Sequence, residues 1–310
     1  MSTDPSRSAA SPPIGLQKSA DEDLLFVDEP NREPAPASAH QPAPTKSSSL
    51  SRPSYALTLL APNRAPRGFV YVPVWDAFHK ILSTYLCMPV APLGPRQALF
   101  GHQSLPKGAS DVERAEFDKR TFDQAVETAS KLQREKSLAL VGICIDYHSL
   151  SNGKARDILL AGFRTLPKSL SQLITVEIGN TPDHIPTTTL GERIQIVRPY
   201  FRSVALQLPS LTHGASRFSY MGLHALVYRL WDWPHDEKPL DVGELAAYTK
   251  QAKAQHLHFG FAGVPDMALA QKLTEIGATY LGGPFLGPAL DAPAGMRRCS
   301  LEEIAAQRKA

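Results

Sequence analysis

Three cysteines in 310 residues, Cys87, Cys144 and Cys299, are too few and too scattered for a disulfide framework. None belongs to a CxxC pair, so a thiolate zinc site is excluded and a reducing compartment is expected. No apolar run approaches the roughly 20 residues that span a bilayer. The amino terminus lacks a charged start followed by a long apolar block, so neither membrane insertion nor secretion is expected. Sustained basic runs are missing too. The 33 Lys+Arg against 30 Asp+Glu leave a net charge of +3, which gives nucleic acid no electrostatic footprint. These absences together predict a cytoplasmic chain.

Proline is plentiful but uneven. Nine of the 27 prolines and eleven serines fall within residues 1–54, where Phe26 is the single aromatic residue. Such a stretch cannot bury enough apolar surface to offset its ordering entropy, so residues 1–64 are predicted to be a disordered tail. One segment inside it differs. Asp21, Glu22, Asp23, Asp28 and Glu29 flank Leu24, Leu25, Phe26 and Val27. Four apolar residues between five acids suit a short motif that folds onto a basic, apolar groove of a partner protein, or acids that merely keep the stretch soluble.

Beyond the tail, short β-branched and aromatic runs at 69–74 and 81–87 predict two strands joined by a brief turn. Helical spacing follows over 113–136, with Phe117, Phe122, Ala125, Val126, Ala129 and Leu132 on one face. Strands are expected at 138–145, 173–178, 203–208, 225–230, 256–261 and 279–281. Helices are expected at 154–163, 190–200, 242–253, 265–276 and 300–309. About eight strands alternating with helices predict an α/β fold, a (β/α)8 TIM-like barrel over 65–295 followed by a carboxyl-terminal helix over 296–310. The direct turn between the first two strands is too short for a parallel crossover, so one of them should run antiparallel.

The order of several short motifs resembles a known family. Phe261-Ala262-Gly263-Val264-Pro265-Asp266 is similar to AEGVET, and Leu281-Gly282-Gly283-Pro284-Phe285-Leu286-Gly287-Pro288 to QGYYFSKP. Val176-Glu177-Ile178-Gly179-Asn180 looks like LEITE, Val204-Ala205-Leu206-Gln207-Leu208 like IALDD, and Tyr71-Val72-Pro73-Val74 like YQPI. Thr84-Tyr85-Leu86-Cys87 falls where Glu-Ala-Leu would lie. The chain therefore resembles the EAL domain of bacterial cyclic-di-GMP phosphodiesterases from about Gly68 to Pro288.

The resemblance implies a two-metal phosphodiester hydrolase, whose carboxylates bridge two hard cations and activate a water between them. Most of those positions are replaced. Tyr85 stands for the first glutamate, Asp146 for an asparagine ligand, Asn180 for the second glutamate of LEITE, and Gln207-Leu208 for the bridging aspartates. Ala262 and Leu281 replace a glutamate and a glutamine, and Pro89 replaces a phosphate-facing arginine. Glu177 is retained. The catalytic lysine falls at Tyr228 or Arg229, and a guanidinium cannot release its proton near neutral pH.

The reading is a degenerate member: not an enzyme, with no cofactor, and Mg²⁺ or Mn²⁺ required only if hydrolysis survives. Its pocket would comprise Tyr85, Asp146, Glu177, Gln207, Leu208, Arg229, Ala262 and Leu281, with high-affinity cyclic-di-GMP binding lost. The function expected is regulation through a protein partner. The alternatives are a sensor that binds the nucleotide without cleaving it and an active phosphodiesterase with a displaced metal site.

Three further features complete the reading. Asp146 and His148 at a strand end could form a new acid/base pair, though loop polar residues are usually solvated. Trp231-Asp232-Trp233-Pro234-His235 could be a recognition patch or core packing. Gly282, Gly283 and Gly287 lack a following GKS or GKT, so a tight backbone turn is expected there rather than a phosphate loop.

Overall fold

The computed structural model describes residues 68–94, 97–230 and 241–307. The acidic-apolar segment around Leu24, Leu25, Phe26 and Val27 and the Trp231–His235 stretch lie outside them.

The described chain begins with β1 (Phe69–Asp76), a tight turn and β2 (Ile81–Gly94), then β3 (Gln97–Phe100) and the long helix α1 (Asp111–Arg134). Next come β4 (Leu140–Asp146), α2 (Gly153–Arg164), the single turn α3 (Lys168–Ser171), β5 (Ile174–Gly179) and α4 (Thr187–Val197). The second half holds β6 (Ser203–Leu208), β7 (Ala225–Arg229), α5 (Val242–Ala254), β8 (His258–Ala262), α6 (Met267–Glu275) and β9 (Tyr280–Gly282). A short β10 (Arg297–Arg298) and α7 (Leu301–Gln307) close the described chain.

Neighbouring strands run β1-β9-β8-β7-β6-β5-β4-β2, and β1 pairs with β2 to close the ring. The result is an eight-stranded barrel. Strand β1 is antiparallel to both neighbours while the rest of the ring is parallel, as the short first turn requires. The sequence did not reveal β3, which pairs antiparallel with the far end of β2, or β10.

Helix α1 shows how sequence sets local structure. Ser110 accepts from the Glu113 backbone N–H while the Glu113 carboxylate accepts from Ser110, a capping box worth about 1 kcal/mol. Its buried stripe, including Phe117, Phe122, Ala125, Ala129 and Leu132, packs over β4 and α2. Phe122, Phe163 and Phe201 meet edge to face there, with centroids 4.9–6.1 Å apart. Residues 297–307 pack onto the barrel. Trp75 donates its indole N–H to the Cys299 carbonyl at 3.0 Å, and Ile304 is buried in the main core.

Side chains alternate between this outer core and the barrel interior. Tyr71, Trp75, Tyr85 and Cys87 belong to the outer core, whereas Val70, Val72, Met88 and Val90 form an inner cluster under β3. Barrel interiors are normally filled by bulky branched residues in layers. Here Ala205, Ala225, Gly260, Ala262 and Gly282 face inward and leave a cavity of about 700 Å³.

Candidate functional site

The carboxyl ends of β4 to β8 carry the polar groups expected at a barrel mouth. Asp146, fully buried, closes β4. Its side chain accepts from Arg114 Nη1 at 2.7 Å, from Asn180 Nδ2 at 2.7 Å and from the His148 backbone N–H at 2.8 Å. Asn180 adopts a left-handed backbone (φ +53°), which asparagine tolerates better than most residues and which swings its amide toward Asp146. The contact between Asp146 and His148 is a cap on the turn Tyr147–Leu150, made by the backbone amide rather than the imidazole. It is not an acid/base pair.

Beneath Asp146 lies a second buried carboxylate that the sequence reading missed. Asp118 of α1 accepts from the Asp146 backbone N–H at 2.8 Å, from Ser149 Oγ at 2.7 Å and from His102 Nε2 at 2.5 Å. Burial works against a charged His102, but the Asp118 carboxylate, its hydrogen bond and Cys144 outweigh it and hold the imidazole pKa well above the ordinary 6.5. The pairing with Asp118 therefore favours the protonated form of His102. Only the spacing of His102 and Asp118 outside any strand could have signalled this, and one turn-forming histidine and one helical aspartate carry no motif.

Inside the barrel, Glu177 of β5 accepts from Gln207 Nε2 on β6, and the same amide donates to Cys144 Sγ at 3.2 Å. Arg229 at the end of β7 reaches Cys144 Sγ at 3.8 Å. Gly179 is the cradle for this cluster, because a Cβ there would stand 2.5 Å from Gln207 Oε1 and 3.0 Å from Cys144 Sγ.

The residues predicted to line one pocket thus divide by strand parity. Asp146, Glu177, Gln207, Arg229 and Ala262 face the interior or its mouth. Tyr85, Leu208 and Leu281 face the other way. All three are buried in the outer core, and Tyr85 donates its hydroxyl to the Gly295 carbonyl at 2.6 Å. Tyr228 is buried outward as well, with its phenol pushed up to about 12 mainly by burial, so Arg229 is the β7 side chain on the inner face.

These residues do not fit a pair of hard cations. Mg²⁺ and Mn²⁺ take several carboxylate or carbonyl oxygens. Asp146 and Glu177 already accept from Arg114, Asn180 and Gln207, and Ala262 contributes no oxygen from its side chain. Among the described residues, no three His, Cys, Asp or Glu side chains stand together as a metal-ligand group. No helix among them is long and apolar enough to cross a membrane.

No protein-family profile matches the chain, and no curated protein resembles it in sequence. Solved structures do resemble it. The Bacillus subtilis YkuI protein, with an EAL domain, in complex with c-di-GMP and calcium, matches with a TM-score of 0.60 at 15% identity, over 77% of this chain and 59% of that one. The PaMucR phosphodiesterase in complex with c-di-GMP matches with a TM-score of 0.56 at 12% identity, over 73% of this chain and 98% of that one. The Xanthomonas citri FimX EAL domain in complex with c-diGMP matches with a TM-score of 0.54 at 14% identity, over 71% of this chain and 87% of that one. This chain spans well under two thirds of the YkuI protein but nearly all of the PaMucR chain compared. The fold is that of an EAL domain, a TIM-like barrel with one antiparallel strand.

Proposed function

We propose that this EAL-type barrel is a regulatory, protein-binding module that does not hydrolyse cyclic-di-GMP. The observation that carries the reading is the state of the two acids at the strand ends. Asp146 is held by Arg114 and Asn180, and Glu177 accepts from Gln207. Two-metal hydrolysis needs carboxylates that bridge both ions, and Gln207 and Ala262 supply none. Arg229 cannot replace a lysine as proton acceptor because its guanidinium stays charged. The acidic-apolar segment Leu24, Leu25, Phe26 and Val27 is the proposed contact with the partner protein.

Purified full-length protein incubated with cyclic-di-GMP and Mg²⁺ or Mn²⁺ is expected to return the nucleotide intact on chromatography. A linear dinucleotide product that vanishes in a Glu177→Ala variant would overturn the proposal.

A second reading is a sensor that binds the nucleotide without cleaving it. It is favoured by Arg114, Arg229 and Asn180 at the mouth, since guanidinium and amide donors suit phosphate oxygens. The FimX EAL domain in complex with c-diGMP supplies the ligand to test. Calorimetry decides it: neither heat nor a thermal shift with several hundred micromolar cyclic-di-GMP disposes of the sensor and leaves the protein-binding reading standing.

A further inference from the structure

A cavity opens at the end of the barrel opposite the mouth just described. Its rim is built from the first residues of successive strands and the turn between β1 and β2, and its inner end reaches Glu177 and Ala262. The volume, about 700 Å³, is that of a small-molecule site rather than a packing defect. Aliphatic groups of Val72, Val74, Leu86 and Val227 line the walls, and the small residues of β6 to β9 leave the axis empty. We propose that this end of the barrel binds an elongated apolar molecule carrying one carboxylate, with the chain inside and the acid at the rim.

Charge decides the orientation. At the inner end, Glu177 already accepts from Gln207, and an incoming acid would meet a carboxylate there. At the rim, Asp76 is taken by His79, whose backbone N–H donates at 2.9 Å and whose Nδ1 lies 2.7 Å from it. Arg202 has no such partner among the described residues. Among the described residues its guanidinium makes one long contact, 3.5 Å to the Gln172 carbonyl, and no ion pair. The rim therefore offers an uncommitted cation, and a guanidinium binds carboxylate through two parallel donors.

Beside Arg202 stand His224 and His258, with ring centroids 4.6 Å apart, and Tyr280, whose hydroxyl lies 2.8 Å from His224 Nε2. Burial lowers both imidazole pKa values, with His258 and Arg202 adding to the effect on His224 and the Asp76 carboxylate opposing it in both, so the shift favours the neutral rings, each with one N–H. Phe78 in the adjoining turn is 78% exposed and gives an apolar approach to the opening. The opening and its cationic rim lie at the end opposite the mouth, and only the inner end of the cavity reaches Glu177 and Ala262.

The test titrates full-length protein with decanoate, decan-1-ol and decylamine in turn, read by calorimetry and thermal shift. Decanoate is expected to bind at least tenfold more tightly than the alcohol, and the amine more weakly than either. Arg202→Gln, at an exposed position where folding is not at stake, should erase the preference for the acid while leaving alcohol binding. Ala205→Leu, which fills the cavity, should weaken acid and alcohol alike. No binding of decanoate at about 1 mM, the level of weak association, would overturn the proposal. So would a preference for the amine, or a preference for the acid that survives Arg202→Gln.

Discussion

Asp118→Ala should be the most damaging single substitution of a polar residue in the barrel, lowering stability by about 3–5 kcal/mol, the usual cost of removing one partner from a buried ion pair. Asp118 is fully buried and accepts three hydrogen bonds, from His102, Ser149 and the Asp146 backbone. Alanine would leave the His102 ring, the Ser149 hydroxyl and the Asp146 amide N–H without their shared acceptor at once. In a domain of this size the loss corresponds to a fall in Tm of roughly 10 °C. Urea unfolding measures it, and a change below about 1 kcal/mol would show that the network contributes little.

The conservative variant adds a pH signature. His102 has a folded pKa above its unfolded value, so its contribution is complete below the ordinary 6.5 and is lost as pH rises through the higher folded value. The stability gap between wild type and Asp118→Asn should therefore be widest below the ordinary 6.5 and narrow as pH rises above it. A gap that is constant across that range would mean that His102 is neutral in the folded protein.

Gly283→Ala is expected to cost roughly 3 kcal/mol or more, combining backbone strain with overpacking. Gly283 has φ +143°, and a Cβ there would stand 2.4 Å from Val264 N and 2.5 Å from Val264 O. Those atoms belong to the backbone, so no rotamer change relieves the clash. They also carry the bonds that tie the end of β8 to β9, Val264 N–H to Gly282 O at 3.0 Å and Phe285 N–H to Val264 O at 3.3 Å. Gly287 supplies the control. It too has a positive φ, +105°, but a Cβ would meet nothing within 4 Å. Gly287→Ala should cost only about 1 kcal/mol from strain alone. Equal losses in the two variants would refute the close-approach argument.

The glycine-rich stretch was legible as a tight turn because glycine and proline punctuate backbone so strongly. The hairpin of β1 and β2 was equally legible, since its connection is too short for any parallel partner. Helix α1 was located within two residues from its apolar spacing, whereas its Ser110/Glu113 cap came only with the structure. The inward or outward facing of Tyr85, Leu208 and Leu281 was not legible. Strands buried on both faces read as continuous apolar runs, so periodicity alone cannot tell the inner face from the outer.

The sequence by itself determined a barrel of alternating strands and helices with an EAL-like order of motifs. Local propensity, turn chemistry and residue identity suffice for that conclusion. Only the tertiary structure decided which side chains share the mouth, how His102 and Asp118 pair beneath it, and that alanines and glycines from four strands combine to hollow the opposite end. Those outcomes depend on the closure and register of a ring whose neighbours lie tens of residues apart in the chain, a relation that no local pattern encodes.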